Sequence, residues 1–148
     1  CAQVAAWSET WCGVGVMQTT EYSGGCSCGA VRYRASVAPQ FSFHCQCRQC
    51  QQATGTGHAS LFVVPVDAVS LSGELRFYEQ TADDGNTVSR GFCPRCGSPV
   101  VGKSSGHPDI MLFAAASLDN PALFKPEKVV WSASRQPWDY TDPDLPIS

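Results

Sequence analysis

The chain has 148 residues, of which 43% are hydrophobic and 16% are charged, so it is long enough for one domain with a modest core. Ten Lys and Arg residues against thirteen Asp and Glu residues give a formal net charge of −3, which lacks the basic surface that nucleic-acid binding requires. No apolar run approaches the length of a membrane span, so we expect neither a nucleic-acid partner nor a membrane partner.

The first segment of the chain is unusual because it begins at Cys1 and its first methionine is Met17. Residues 1–16 lack a basic start, and Glu9 interrupts their apolar character, so they do not have the pattern of a secretory signal peptide. We expect Met17 to be the natural start, residues 1–16 to be an upstream or added extension, and residues 17–148 to form a single domain. The alternative is a frayed native terminus.

Short strands dominate the predicted elements that follow. Arg32 and Arg34 alternate with Val31 and Tyr33, which predicts a half-buried strand at Ala30–Ala35. Similar patterns predict strands at Phe41–His44, His58–Val64, Glu74–Glu79, Thr87–Phe92, Ile110–Ala115 and Val129–Ser132. Turn residues separate these runs at Ser72-Gly73, Asp84-Gly85-Asn86 and Gly106-His107-Pro108.

Helices are predicted to be few and short. One covers Arg48–Ala53 and stops near Gly55, a residue suited to a helix C-terminus. A second helical turn can begin at Pro121, after Asp119-Asn120. The tail from Pro137 onward carries three prolines and three aspartates, which favours irregular chain. We therefore predict one β-rich domain whose cysteines lie mostly in loops and at strand ends.

Nine cysteines are far more than a chain of this length normally carries. Such a cysteine content is typical of two classes of protein, secreted disulfide scaffolds and metal-binding proteins of a reducing compartment. Because no signal peptide is recognisable, we expect a cytoplasmic protein with metal-binding thiolates. Cys1 and Cys12 have no partner at metal-ligand spacing, whereas the other seven form three clusters.

The strongest local signal is the last cluster, Cys93-Pro94-Arg95-Cys96-Gly97. A Cys-x-x-Cys turn followed by glycine is typical of a zinc knuckle, because the turn brings two sulfurs close enough to share one ion. A closed tetrahedral site needs two more ligands, and Cys26 and Cys28 are the natural supply. A redox disulfide is the alternative for such a motif, but the βαβ pattern that accompanies it is absent.

The middle cluster places Cys45, Cys47 and Cys50 within six residues. Three protein ligands with an open fourth position are typical of a reactive zinc site, and soft thiolate ligands favour a further sulfur as the incoming donor. We therefore interpret this cluster as a second site that holds a substrate thiolate. The alternative is one shared site completed by His44 or His58.

These clusters and their flanks resemble the glutathione-dependent formaldehyde-activating enzyme family. The resemblance runs from about Gly24 to Pro146, and weaker matches include Ser72-Gly73-Glu74-Leu75, Ala116-Ser117-Leu118-Asp119, Trp131 and Trp138. The matching segments are Gly25-Cys26-Ser27-Cys28-Gly29-Ala30-Val31-Arg32-Tyr33, His44-Cys45-Gln46-Cys47-Arg48-Gln49-Cys50 with Thr54-Gly55, and Phe92-Cys93-Pro94-Arg95-Cys96-Gly97-Ser98-Pro99.

The resemblance implies an all-β fold, the β-tent, in which zinc pins antiparallel sheets. It also implies two zinc ions per chain: a structural zinc held by Cys26, Cys28, Cys93 and Cys96, and a catalytic zinc held by Cys45, Cys47 and Cys50. The implied activity joins formaldehyde to glutathione to give S-hydroxymethylglutathione and is classed with the carbon–sulfur lyases. Thr54, Gly55 and Thr56 would line the pocket.

Two arginines are candidates for substrate binding. Arg48 and Arg90 could offset thiolate charge or hold a substrate carboxylate, although solvated surface charge is the simpler interpretation of each. The competing function is a non-catalytic zinc module that binds a protein partner, for which the Cys45 cluster would be surplus. A redox or metal-storage role for exposed thiolates is a third hypothesis.

Overall fold

The computed structural model describes residues 21–148. The expectations for residues 1–16, Met17, Cys1 and Cys12 therefore lie outside the described residues. One α-helix occurs in the described part, α1 (Arg48–Thr54), with 3-10 turns at Val66–Ala68, Ala115–Ser117, Pro121–Leu123 and Ser132–Ser134. The strands are β1 (Tyr22–Gly25), β2 (Arg32–Ala35), β3 (Phe41–Cys45), β4 (Ala59–Pro65), β5 (Val69–Ser72), β6 (Arg76–Thr81), β7 (Thr87–Phe92), β8 (Pro99–Ser104), β9 (His107–Ala114) and β10 (Lys128–Val130).

The strands form two sheets. A three-stranded antiparallel sheet has the order β1-β2-β5, and a seven-stranded sheet has the order β10-β3-β4-β9-β8-β7-β6. The strand pairs are antiparallel except for β10, which lies parallel to β3 with Val130 opposite Cys45. The fold is thus mostly β, as predicted, and the parallel edge strand is a departure from a purely antiparallel arrangement. Within residues 21–148, no helix has the length and apolar character needed to span a bilayer.

Most predicted elements are confirmed. The strand at Thr87–Phe92 has the predicted bounds, and α1 extends the predicted helix by one residue to Thr54, with Gly55 as its C-cap. The other predicted strands match β2, β3, β4, β6, β9 and β10 to within three residues at each end, and the helical turn at Pro121 is present. The prediction did not include three strands, β1, β5 and β8.

The core lies between the two sheets. Along β2 the side chains alternate as predicted: Tyr33 and Ala35 are buried, whereas Arg32 and Arg34 are exposed. The Tyr33 ring lies 4.2 Å from the ring of Phe113, centroid to centroid, and Phe113 lies 5.6 Å from Phe62. These aromatic rings join the small sheet to the large one, so the turns at the strand ends hold fixed positions relative to each other.

Candidate metal centres

The first sulfur cluster joins the two sheets. Cys26 and Cys28 lie in the turn between β1 and β2, and Cys93 and Cys96 lie in the turn between β7 and β8. The four sulfur atoms all lie within 4.8 Å of one another. Cys26 and Cys93 are buried, whereas Cys28 and Cys96 are exposed at the rim. A cation bound here would cross-link two segments that are far apart in the chain.

Both turns have backbones that bring their sulfurs together. In the knuckle turn, the Gly97 amide donates to the Cys93 carbonyl at 2.8 Å, and Gly97 has a φ of 75°, a value that favours glycine. In the other turn, the Gly29 amide donates to the Cys26 carbonyl at 3.1 Å. The Val31 amide donates to Cys26 Sγ at 3.2 Å. The turn predicted at Cys93–Gly97 is therefore present, and a second turn carries Cys26 and Cys28.

The electrostatics of this cluster suit a cation. Hydrogen bonds with the Ser27 and Ser98 hydroxyls lower the pKa of Cys96 to about 4. The backbone amide of Ala30 lowers the pKa of Cys28, but the Cys26 sulfur and the other two sulfurs raise it, and the net result is a pKa of about 11. Four thiolates at this spacing therefore repel one another unless a positive ion lies among them.

The second sulfur cluster comes from one short stretch. Cys45 ends β3, Cys47 is the N-cap of α1, and Cys50 lies in its first turn, with the three sulfurs within 4.8 Å of one another. Cys47 Sγ accepts a hydrogen bond from the Cys50 amide at 3.3 Å, as a helix cap does. Cys45 is buried and the other two are half-buried, so the cluster can be reached from solvent.

One thiolate is strongly favoured in this cluster. Hydrogen bonds from the Cys45 and Cys50 thiols lower the pKa of Cys47 to about 2, with a smaller contribution from the positive charge of Arg90. Because Cys45 donates its thiol proton to Cys47, the same hydrogen bond raises the pKa of Cys45 well above its ordinary value. The cluster is therefore a proton-sharing group of three thiols, and a soft divalent cation is the kind of ion that would replace its remaining protons.

The two candidate arginines differ in position. Arg90, on β7, is half-buried, and its charge makes a small contribution that favours the thiolates of Cys47 and Cys50, although the pKa of Cys50 is raised overall, to about 11. Its guanidinium is steadied by a hydrogen bond from Nη1 to Gln80 Oε1 at 3.3 Å. Arg48 is exposed and donates instead to Gln51 Oε1. Arg90 is thus the arginine whose charge contributes to the pKa values of the cluster.

The histidine alternative is not supported by the geometry. Neither His44 nor His58 belongs to the close group of donor atoms around the sulfurs. His44 Nδ1 lies 3.0 Å from Ser60 Oγ, and burial lowers the pKa of its ring, with the neighbouring His58 ring adding to that effect. His58 Nδ1 lies 2.8 Å from Asp139 Oδ1. Both rings are therefore engaged with other polar groups.

The residues expected to line the pocket lie at the C-terminal end of α1 and just beyond it. Thr54 Oγ1 donates to the Cys50 carbonyl at 2.8 Å, and Thr56 Oγ1 donates to the His58 carbonyl at 2.7 Å. Gly55 is the C-cap of the helix, and its amide donates to the Gln51 carbonyl. These residues close the end of the helix that carries Cys50.

Sequence reasoning did not identify three polar residues behind the second cluster, namely Gln46, Gln51 and Asp139. Both glutamines are buried, and Gln46 Nε2 donates to Asp139 Oδ2 at 2.8 Å. The only sequence signal was the presence of glutamines between and after the cysteines. Asp139 gave none, because it lies in a tail of irregular chain more than eighty residues away.

Comparisons with known proteins found a family model, a named relative and a solved structure similar to this chain. Residues 21–134 match the family model described as glutathione-dependent formaldehyde-activating enzyme. A protein of Halomonas elongata, whose name describes an inferred glutathione-dependent formaldehyde-activating enzyme, is 32% identical over 111 residues, which cover 72% of this chain and 71% of that protein. A crystal structure of a Rhodobacter sphaeroides protein has the same fold, with a TM-score of 0.54 and 21% identity over 68% of this chain and 92% of that one.

Proposed function

Because this chain belongs to the glutathione-dependent formaldehyde-activating enzyme family, we propose that it is a zinc-dependent carbon–sulfur lyase-like enzyme that acts on a thiol adduct. Its proposed substrates are glutathione and formaldehyde, and its product is S-hydroxymethylglutathione. The observation that carries this proposal is the group of three close sulfurs, whose thiolates the charge of the half-buried Arg90 favours. Such a group supplies three ligands to a metal and leaves a fourth position for an incoming thiol.

The donor chemistry of both clusters fits zinc. We assign the structural ion to Cys26, Cys28, Cys93 and Cys96 and the catalytic ion to Cys45, Cys47 and Cys50, giving two ions per chain. Sulfur is the ligand that zinc accepts in closed four-cysteine sites, and the close spacing within each cluster supports both assignments. When bound at the second cluster, zinc would supply the positive charge that lowers the pKa of a coordinating thiol.

The reaction makes specific demands on the protein side chains. A bond forms between the thiol sulfur and the aldehyde carbon, the C=O π electron pair moves to oxygen, and the thiol proton ends on that oxygen. The protein must therefore favour the thiolate and hold it close to the aldehyde. Arg90 meets the first demand, because its charge stabilises thiolates in the Cys45–Cys50 cluster, and its guanidinium can also pair with a carboxylate of the substrate.

The cysteine chemistry also supports a reducing location. All seven cysteines among residues 21–148 are free. Thiols that must stay reduced to bind metal are expected in the cytoplasm, where disulfides are rare. We place the protein there, and we propose that residues 17–148 form a single zinc-binding domain.

The direct test is adduct formation by the zinc-loaded protein. Glutathione and ¹³C-labelled formaldehyde are mixed with the protein, and NMR exchange measurements compare the rate of adduct formation with the spontaneous rate. We expect acceleration by the native chain and a loss of about 100-fold or more in Cys47→Ser, since that change removes one of three ligands. A rate equal to the spontaneous one, with both metal sites filled, would refute the proposal.

Arg90 can be tested separately. Arg90→Leu should lower kcat/KM by about 10–100-fold, because it removes a charge-assisted interaction with the thiolate or carboxylate. The matched control is Arg76→Leu, which removes an exposed arginine from the neighbouring edge strand β6. Equal kinetics for the two variants would remove Arg90 from the site.

Metal content separates this proposal from a non-catalytic zinc module. We expect two zinc ions per chain, of which a mild chelator removes one readily, because the second cluster is half-exposed and has only three protein ligands. One tightly held ion, with the Cys45 cluster metal-free at micromolar zinc, would favour the module.

A further inference from the structure

A layer of buried polar side chains lies behind the Cys45–Cys50 cluster. Gln46 and Gln51 are 0% and 4% exposed, and they are two of only three buried polar residues among residues 21–148. Gln51 Nε2 donates to the Gln46 carbonyl at 2.6 Å, which ties the loop between the cysteines to α1. Buried amides of this kind require partners, and here the partners come from the C-terminal part of the chain.

The partners lie in one segment, Trp131–Asp139, and in the strand before it. The backbone amide of Gln46 donates to the Val130 carbonyl at 3.0 Å, which continues the pairing of β10 with β3. Gln51 Nε2 donates to the Ser134 carbonyl at 2.9 Å, and Gln136 Nε2 donates to Gln51 Oε1 at 3.3 Å. Each of these bonds involves Gln46, between the cysteines, or Gln51, the residue after Cys50.

Asp139 is the charged centre of this contact. Its side chain is 6% exposed and lies between the side-chain amide of Gln46, whose Nε2 is 2.8 Å away, and His58 Nδ1, also 2.8 Å away. The carboxylate fits closely against Gly57, where a Cβ atom would lie 2.2 Å from Asp139 Cγ. A buried carboxylate with two polar partners and no spare room holds one orientation.

Two local features are unfavourable in themselves. Gln46 Oε1 is buried with no hydrogen-bond partner, and Trp131 has a φ of 58° and a ψ of 39°, a left-handed conformation that is rare outside glycine. Both flank the cysteine loop, because Trp131 directly follows the residue that pairs with Cys45. Unfavourable conformations that persist in this way cluster at functional sites, where precise placement compensates for them.

We propose that Trp131–Asp139 is a positioning element for the Cys45–Cys50 cluster, and that Asp139 is its central positioning residue. This inference rests on the proposed function of the cluster as a metal site. Three ligands within six residues, two of them half-buried, depend on outside contacts to keep the sulfurs close before a metal arrives. The segment supplies those contacts without touching the sulfurs, and residues 135–139 lie beyond the part of the chain that matches the family model.

The test measures metal affinity site by site in the full chain. Zinc is titrated against a chromogenic chelator to give a dissociation constant for each of the two sites, and Co²⁺ is titrated separately to record its thiolate charge-transfer and d–d bands. In Asp139→Ala we expect about 10–100-fold weaker binding at the three-cysteine site and altered Co²⁺ d–d bands, with the four-cysteine site unchanged.

Three further variants sharpen the result. Asp139→Asn keeps the shape, can accept from Gln46 and can donate to His58, so it should bind within about threefold of the native chain. Gln46→Leu cuts the link from the loop to Asp139 and keeps a side chain of similar size in a fully buried position, so it should weaken the same site even if Asp139→Ala does not fold. Asp144→Ala, an exposed aspartate of the same tail, is the matched control and should bind as the native chain does.

Equal affinity at the three-cysteine site in the native chain and in the folded Asp139→Ala or Gln46→Leu variant would overturn this inference alone. An equal loss at both sites would also overturn it, since it would indicate general destabilisation. Failure of the native Cys45–Cys50 cluster to bind zinc or Co²⁺ would overturn the proposed function as well.

Discussion

Replacing a cysteine of each cluster by serine should have very different effects on stability. Cys28 and Cys93 lie 65 positions apart in the chain, with their sulfurs 3.8 Å apart, so an ion shared by them closes a long loop. Cys45 and Cys50 lie only five positions apart. Since loop-closure entropy grows as 3/2 RT ln n, the two cross-links differ by about 2.3 kcal/mol in their effect on the unfolded chain.

Local structure widens this difference. Cys93 is fully buried, whereas Cys47 is half-buried and caps α1 through its sulfur. Serine is a favoured N-cap residue, so Cys47→Ser keeps the helix while it removes a metal ligand. Under the proposed assignment of zinc to the four-cysteine site, Cys93→Ser also removes metal-binding energy that contributes directly to folding.

The assay is thermal unfolding of the zinc-loaded variants, followed by circular dichroism at one fixed free zinc concentration. At about 3–4 °C per kcal/mol for a chain of this size, we expect Cys93→Ser to melt at least roughly 8 °C below Cys47→Ser. Cys47→Ser should melt close to the native chain. An equal loss of Tm in both variants would refute the division into a stabilising site and a reactive site.

Three other changes test the core and the tail contact. Gly57→Ala should lower the free energy of unfolding by about 1–3 kcal/mol and weaken zinc binding at the three-cysteine site, because the new Cβ would lie 2.2 Å from Asp139 Cγ. Unchanged urea unfolding and unchanged zinc affinity would contradict this. Phe113→Ala should lower the free energy of unfolding, measured in urea, by about 3–5 kcal/mol. Phe77 is 43% exposed, so Phe77→Ala should lower it much less, and similar losses in the two variants would disprove the core assignment. Burial raises the pKa of Tyr33 to about 12 from its ordinary 10.0, so above pH 10 the unfolded state loses the proton first and stability falls as pH rises. Tyr33→Phe should reduce this alkaline loss, and the same pH slope in both proteins would count against it.

The fold was predictable where the chain carries its own local pattern. Alternation in Ala30–Ala35, the helix stop at Gly55 and the run Thr87–Phe92 all specify an element from neighbouring residues alone. The strands that escaped prediction carry weaker patterns. β1 reads Tyr-Ser-Gly-Gly and β8 begins at a proline and contains Gly102, so each is a strand because a partner strand supplies its hydrogen bonds.

The candidate sites, like the fold, have a part that the sequence predicted and a part that only the structure shows. Spacing alone grouped the seven cysteines into knuckle, pair and triplet, because ligands close in sequence must lie close in space. Pairing Cys26 and Cys28 with Cys93 and Cys96 is a contact between two sheets, and the structure shows it directly.

By itself, then, the sequence determined the chemistry of this protein: free thiols in sets that suit a soft cation, on a chain rich in short strands. Only the tertiary structure decided which charged and polar groups surround those thiols. The charge of Arg90, on another strand, acts on the Cys45–Cys50 cluster, and Asp139, from the tail, binds Gln46 between the cysteines. The sequence offered Arg48 and Arg90 equally and gave no signal for Asp139, because a single arginine or aspartate gains its role only from the distant groups that folding places against it.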